Sequence, residues 1–217
     1  MNAPKRQVRN AEQTRRQLIE AGERLFASHG YSGTSLEALA GEVGVNKAMI
    51  AYYFGSKAGV YDAVISALVS SVVGQVRDAL ITGPDPVENF RNYIDALAKA
   101  FAARPTFPAI VMREYLDGEM QDRETPFAQV MQFFRMTEEL YQQGRKAGLF
   151  RSLSAHELHL SIVGPLIHFT LTIGFRDRTF DRVKGEIENP GVSEFSDHLA
   201  NLLIDGMRSD TKTQKNG

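Results

Sequence analysis

The stretch that decides the fold is residues 33–57, GTSLEALAGEVGVNKAMIAYYFGSK. Thr34 and Glu37 form a T-x-x-E capping box, which predicts a helix with Thr34 as its N-cap, and Gly44 predicts the end of that helix. Asn46 is the predicted N-cap of a second short helix. Two helices with so brief a connector predict a helix-turn-helix, whose second helix enters a DNA major groove.

The flanking residues complete a three-helix unit. Over residues 10–29 apolar side chains recur at helical spacing, and Gly30 predicts the end of this first helix. Ser56 is the predicted N-cap of a further helix with an apolar stripe along several turns. Residues 1–9 contain few apolar groups and predict a flexible arm, whose arginines either touch DNA or remain in solvent.

The second half of the chain also follows a helical pattern. Asp85 and Pro86 predict a helix start, and Ser154 with Glu157 predicts a second capping box. No stretch has the alternation of a strand, so the predicted fold class is all-α. The predicted helices after the capped helix at residue 86 cover about 109–116, 126–146, 158–173 and 193–207.

Composition narrows the class of protein. The 217 residues include no cysteine, which excludes disulfides and thiolate metal sites. We find no apolar run of about 18 residues, so we expect no membrane partner. The first 17 residues are basic and lack the apolar core of a secretory signal. We therefore expect a cytoplasmic protein.

The charge is divided unevenly along a chain whose net charge is −1. Residues 1–60 contain eight Lys or Arg against five Asp or Glu, for a net charge of +3, and the remaining residues carry −4. A basic head on an acidic body is typical of a DNA-binding domain attached to a domain of another function.

Residues 30–61, GYSGTSLEALAGEVGVNKAMIAYYFGSKAGVY, resemble the signature of the TetR family of bacterial regulators. The shared features are a glycine-aromatic turn, a T-S start, a G-V turn, a Y-F pair and a following S-K, and the resemblance spans about residues 9–65. It implies a helix-turn-helix DNA-binding domain over 1–60. It also implies a helical effector-binding and dimerisation domain over 61–217, in which the polar residues 209–217 are expected to be a disordered tail.

The expected DNA contacts lie at the helix starts and on the second helix. Lys47 and Asn46 are suited to base edges, and the resemblance places Lys57 on a phosphate. Tyr53 has packing against Tyr31 or the first helix as its alternative role. Ala51 stands where many family members have tyrosine. The full predicted set is Thr34, Ser35, Asn46, Lys47, Ala48, Met49, Tyr52, Tyr53 and Lys57.

The helical body is expected to hold an effector pocket. Its aromatic and methionine content favours an apolar or aromatic small molecule, although each residue has ordinary core packing as its alternative. Arg113 either selects an acidic ligand or pairs with Glu114 or Glu119. The candidate ligand-binding residues are Phe101, Phe107, Met112, Arg113, Phe134, Tyr141, His159, His168 and Phe169.

Enzyme motifs are not found in the sequence. His156 and His159 are three residues apart, whereas the zinc motif H-E-x-x-H places its histidines four apart, so we expect no metal. There is no phosphate-binding glycine motif and no G-x-S-x-G. We expect a protein that is not an enzyme and has no cofactor.

The sequence thus predicts a ligand-responsive DNA-binding transcriptional regulator, with repression as the usual role in the resembled family. The strongly apolar helices near the C-terminus predict a homodimer, which suits a palindromic operator. A small-molecule effector would release the DNA by favouring another arrangement of the dimer. The alternative is a helical small-molecule-binding or protein-interaction module without sequence-specific DNA binding.

Overall fold

The structure, a computed structural model, describes residues 3–80, 83–117, 124–180, 182 and 188–209. These residues form ten helices and contain no strand, which confirms the predicted all-α class. The helices are α1 Ala3–Gly33, α2 Leu36–Val43, α3 Lys47–Phe54, α4 Lys57–Ala79, α5 Pro86–Ala103, α6 Thr106–Asp117, α7 Glu124–Lys146, α8 Ala155–Leu171, α9 Ile173–Phe180 and α10 Val192–Met207.

The chain divides into two compact units, Met1–Ser71 with Ala109–Gln129, and Val72–Pro108 with Val130–Gly217. The first unit therefore contains α1 to α3 together with the first part of α4 and most of α6. The division of function at residue 60 stays a prediction.

The first unit forms around apolar side chains that α1 to α4 bury completely. Leu18 of α1, Leu39 of α2 and Ile50 of α3 each have no exposed surface. Val60 and Val64 of α4 are equally buried. The predicted helical spacing of apolar residues thus builds the core that holds the helix-turn-helix.

Helix α1 begins at Ala3, inside the stretch 1–9 that was predicted to be a flexible arm. The reason is local: Pro4 is acceptable in a first helical turn, and residues 5–21 contain no further proline or glycine. The predicted helix end at Gly30 is a kink (φ 73°, ψ 178°), beyond which the helix assignment runs on to Gly33.

Helix α4 is long and apolar. By length and composition alone it would be able to cross a membrane, with a mean hydropathy of 1.4 over an 18-residue window. The expectation that no such run exists was therefore wrong, since Asp62 is the only charged residue between 58 and 76. Half of the window is buried inside the protein, a property that core helices share.

The second unit places α5 against α8 and α10. Asp85 and Ser154 are the N-caps of α5 and α8, as predicted, with their side chains accepting from the backbone N–H of Val87 and Glu157. Helix α9 was not predicted. It arises because the predicted helix over 158–173 stops at Leu171, where Thr172 leaves helical geometry.

Two further boundaries differ from the prediction. Helix α6 starts at Thr106 because Pro108 lies in its first turn, where a missing N–H costs nothing. Of the predicted tail only Ser209 is described, and its N–H donates to the carbonyl of Leu149 at 2.9 Å. The rest of that tail lies outside the described residues.

Candidate nucleic-acid interface

Two capping side chains and one glycine define the helix-turn-helix. Ser35 Oγ accepts from the N–H of Ala38 at 3.0 Å and starts α2. Gly44 ends α2 in the left-handed region (φ 72°), where a residue with a Cβ would be strained. Asn46 Oδ1 then accepts from the N–H of Ala48 at 2.9 Å and starts α3. The predicted roles of Gly44 and Asn46 are confirmed.

Thr34 does not have its predicted role as the N-cap of α2. It is 2% exposed, and its hydroxyl donates to the carbonyl of Gly30 at 2.8 Å. Its N–H donates to the carbonyl of Tyr31 at 3.2 Å. Thr34 therefore closes the turn after the Gly30 kink, and its buried side chain is not available to DNA, unlike the exposed Ser35 beside it.

Helix α3 has one buried face and one exposed face. Ile50 has no exposed surface, whereas Tyr52 is 82% exposed. Ala48 is exposed, and Met49 and Tyr53 are partly buried.

The two tyrosines of α3 touch each other. The rings of Tyr52 and Tyr53 meet edge to face with centroids 5.2 Å apart, and the ring of Tyr53 also lies 6.3 Å from that of Phe54. An aromatic pair with one fully available hydroxyl thus lies on the face that α3 turns away from its core.

Charged pairs surround the helix-turn-helix. The ammonium of Lys47, the first residue of α3, donates to the carboxylate of Glu37 on α2. This hydrogen bond is the main reason that the pKa of Glu37 is lower than its usual value. At the other end of α2, Arg24 pairs with Glu42 at 3.0 Å.

Lys57 lies at the N-terminus of α4, where backbone N–H groups attract anions. Its ammonium is 4.2 Å from the centre of the Tyr31 ring, a cation–π geometry that orients a flexible side chain. Tyr31 is in turn held by an edge-to-face contact with Tyr61 at 5.1 Å. Ser56 caps α4 as predicted, accepting from the N–H of Gly59 at 3.1 Å.

Arg113 was predicted as an effector-selecting residue, and the structure gives it another role. Its guanidinium donates to the carbonyls of Ala27 at 2.9 Å and Ser28 at 2.6 Å. These carbonyls precede the kink at Gly30. Of its two predicted acidic partners, Glu114 accepts from the hydroxyl of Tyr61, and Glu119 lies outside the described residues. Arg113 therefore caps the first part of α1.

Among the other effector candidates, Tyr141 and Phe169 have structural contacts in the second unit. The hydroxyl of Tyr141 lies 3.1 Å from the carbonyls of Arg151 and Leu153 and accepts from the N–H of Leu153 at 2.7 Å. The ring of Phe169 stacks on another ring, that of Phe195, with centroids 4.2 Å apart, and the Arg176 guanidinium lies 3.7 Å from its centre. Both side chains thus make contacts that stabilise the second unit itself.

Phe101 and Phe107 belong to an aromatic cluster with Phe133. The three pairs of ring centroids are 5.4 to 6.3 Å apart, and all three rings are buried. Sequence reasoning missed Phe133, because it assigned the neighbouring Phe134 to the buried face of this helix instead. His168 is exposed, and Met112 belongs to the first unit.

The partly buried His159 joins a chain of polar groups, with two buried hydroxyls, that the sequence did not suggest. Its Nδ1 lies 3.0 Å from the hydroxyl oxygen of Thr137, which lies 3.0 Å from the hydroxyl of Tyr93. Burial, helped by the nearby His156, lowers the pKa of His159 to about 4. The imidazole is therefore neutral at pH 7, with Phe134 edge to face against it at 5.6 Å.

Metal binding has no support in the part of the chain that the structure describes. Those residues contain no group of three or more histidine or acidic side chains placed to hold an ion.

Residues 18–64 match the family described as bacterial regulatory proteins, tetR family. Residues 86–180 match the tetracyclin repressor-like C-terminal domain, so the two matches together span more than half of the chain. The chain belongs to the TetR family. It is a DNA-binding transcriptional regulator with an N-terminal helix-turn-helix and a helical C-terminal domain.

Two curated relatives of this TetR-family protein carry different regulatory names. The HTH-type transcriptional repressor NicS of Pseudomonas putida is 23% identical over 146 residues, which cover 66% of this chain and 69% of NicS. The HTH-type transcriptional activator FasR of Mycolicibacterium smegmatis is 32% identical over 85 residues, which cover 39% of each protein.

The fold is also that of solved TetR-family structures. A TetR-family transcription regulator from Marinobacter aquaeolei superimposes with a TM-score of 0.73 at 20% sequence identity. The superposition covers 94% of this chain and 100% of that one. At this identity the likeness concerns the fold alone.

Proposed function

We propose that this TetR-family regulator is a cytoplasmic homodimeric repressor that binds a palindromic operator and is released by a small-molecule effector. The observation that carries the proposal is the exposed face of α3, where Tyr52 is 82% exposed while Ile50 is buried in the core. A short helix that packs on the core with one face and exposes polar and aromatic side chains on the other is suited to a major groove.

The proposed contacts fall into two groups. Lys47, Asn46, Ala48 and Met49 at the start of α3 face base edges, where a lysine donates to guanine and apolar groups touch thymine methyls. The other group is directed to phosphates and comprises Ser35 at the start of α2, Tyr52 and Tyr53 on α3, and Lys57 at the start of α4.

The proposal of a homodimer is supported by apolar side chains on the last helices of the second unit. Leu160 of α8 and Leu202 of α10 are 53% and 59% exposed. A groove of about 250 Å³ lies between these helices and includes Leu158 and Met207 in its lining. Apolar surface of this kind favours association, and a two-fold dimer presents two recognition helices to a two-fold operator.

The effector is proposed to be an apolar or aromatic small molecule bound in the helical C-terminal domain. Phe134 and His159 are the remaining candidates with both an aromatic surface and a polar group in reach, and they lie on α7 and α8. Phe101 and Phe107 supply buried aromatic surface in the same unit. A neutral His159 suits an uncharged hydroxyl or carbonyl group better than a carboxylate.

The DNA-binding part is tested by fluorescence anisotropy with a labelled duplex of mixed sequence at increasing salt. We expect binding at low salt and a loss of about tenfold or more in affinity on moving to moderate salt, because phosphate contacts release counterions. Tyr52→Ala and Lys57→Ala should each weaken binding, whereas Lys99→Ala, which removes an exposed lysine of α5, should not.

Salt-independent binding, or equal affinities for Tyr52→Ala, Lys57→Ala and the unaltered protein, would contradict the proposed surface. The competing function, a protein-interaction or small-molecule-binding module, predicts no binding to the duplex at any salt concentration.

A further inference from the structure

An acidic residue lies on the surface that the helix-turn-helix presents to DNA. Glu37 is the second residue of α2, and Lys47 is the first residue of α3. These helix starts are where a helix-turn-helix approaches the duplex. The Lys47 ammonium donates to the Glu37 carboxylate across the two helices.

The fold itself does not need this pair. The side chains of Glu37 and Lys47 are 66% and 51% exposed, so solvent screens their attraction. Both helices already have side-chain caps from Ser35 and Asn46. A carboxylate at this place also repels the phosphates of any duplex that approaches.

The restraint on Lys47 is the one effect of Glu37 that favours DNA recognition. A free lysine has four rotatable bonds and reaches several acceptors on bases or phosphates, so by itself it discriminates poorly. The hydrogen bond to Glu37 shifts this ammonium toward one position relative to α3, with its remaining N–H groups available to an acceptor. The caps at Ser35 and Asn46 fix the two helices that carry the pair.

We propose that Glu37 is a specificity-determining positioning residue, which acts through Lys47 and rests on the proposed DNA-binding function. On the operator the oriented ammonium meets a base acceptor, and this contact offsets the repulsion between Glu37 and the phosphates. On other sequences the ammonium finds no acceptor in that position, and the repulsion remains. Glu37 therefore weakens binding to unrelated DNA more than binding to the operator.

The test begins with a duplex enriched by the wild-type protein from a random pool. Dissociation constants are measured for this duplex and for a shuffled duplex of the same composition. Glu37→Gln should tighten binding to the shuffled duplex more than binding to the enriched one. The dissociation constant for the shuffled duplex divided by that for the enriched duplex should therefore fall about two- to fivefold. This is the size of effect expected for an exposed ion pair.

Glu42→Gln is the matched control. Glu42 lies on the same helix, is 43% exposed and is paired with Arg24 rather than with a residue of α3. Glu42→Gln removes the same negative charge but does not remove a partner of Lys47, so it should leave the ratio unchanged. In a protein that already carries Lys47→Ala, Glu37→Gln should likewise have no effect on the ratio, since the residue it acts through is gone.

An unchanged ratio in Glu37→Gln would overturn the inference and leave the proposed function intact. An equal fall in Glu42→Gln, or a full effect in the Lys47→Ala background, would also overturn it by showing that charge alone is responsible. If the wild-type protein enriches no sequence, the proposed function fails and this inference fails with it.

Discussion

At the scale of single residues, His159 combines burial with a titratable group. Its imidazole is hydrogen-bonded to Thr137, and the pKa of His159 is lowered from 6.5 to about 4. The folded protein therefore holds this proton less tightly than the unfolded chain does. The associated free energy of unfolding is unaffected above pH 6.5 and falls as the pH is lowered from there toward 4.

We predict that His159→Asn makes the free energy of unfolding less dependent on pH between 6.5 and 4, because the amide takes the place of the imidazole beside Thr137 without taking up a proton. The measurement is urea unfolding at several pH values. His198→Asn, at an exposed histidine of α10, is the control and should keep the wild-type slope. A wild-type slope in His159→Asn would show that His159 is not responsible.

Residue chemistry explains which local predictions succeeded. Asn46 and Gly44 act within two to four residues of their own position, so the sequence alone predicts them. Thr34 and Ser35 both carry a hydroxyl, and the capping-box pattern selected Thr34, which is not the cap. The kink at Gly30 brings the hydroxyl of Thr34 to a carbonyl and leaves the cap to Ser35.

At the scale of helices, Arg113 links α6 to α1 inside the first unit. It donates to two carbonyls that precede the kink at Gly30. We predict that Arg113→Met lowers the free energy of unfolding by about 1 to 3 kcal/mol, because those carbonyls lose their charged donor.

Urea unfolding again measures the effect of Arg113→Met. Arg16→Met is the comparison, since Arg16 is 73% exposed and its ion pair with Glu20 is long, at 3.9 Å. Its removal should lower the free energy of unfolding by less than about 0.5 kcal/mol. Similar losses in both variants would refute the capping role of Arg113.

Helix α7 depends on a glycine for a close contact. A Cβ at Gly144 would lie 2.1 Å from the ring of Phe150, which has no exposed surface. Gly144→Ala should therefore destabilise the protein by about 1 to 3 kcal/mol through overpacking.

Gly74 of α4 provides the contrast to Gly144. A Cβ there meets nothing within 4 Å, so Gly74→Ala should stabilise the protein by up to about 1 kcal/mol through helix propensity. Thermal unfolding should move the two melting temperatures in opposite directions. A shift in the same direction would contradict the packing argument.

Helix starts and buried faces were largely predictable, because caps and apolar spacing are local signals. Contacts between distant elements were not. Glu37 and Lys47 are ten residues apart on different helices, and Tyr93, Thr137 and His159 come from three helices. Each of these pairings depends on tertiary packing, which no sequence spacing encodes.

At the scale of the whole molecule, the proposed regulator couples two ligands. An effector that weakens DNA binding must itself bind less tightly to the DNA-bound protein, by the same factor. The helix-turn-helix lies in the first compact unit, and the effector residues proposed above, Phe101, Phe107, Phe134 and His159, lie in the second. Each unit has its own buried core.

The most direct test of sequence-specific regulation is selection from a random duplex pool by the purified protein at moderate salt. We predict enrichment of a motif with two half-sites related by two-fold symmetry, since a dimer presents two copies of α3. Failure of the folded protein to enrich any sequence, or enrichment of a motif without two-fold symmetry, would contradict the account of a homodimer that reads an operator.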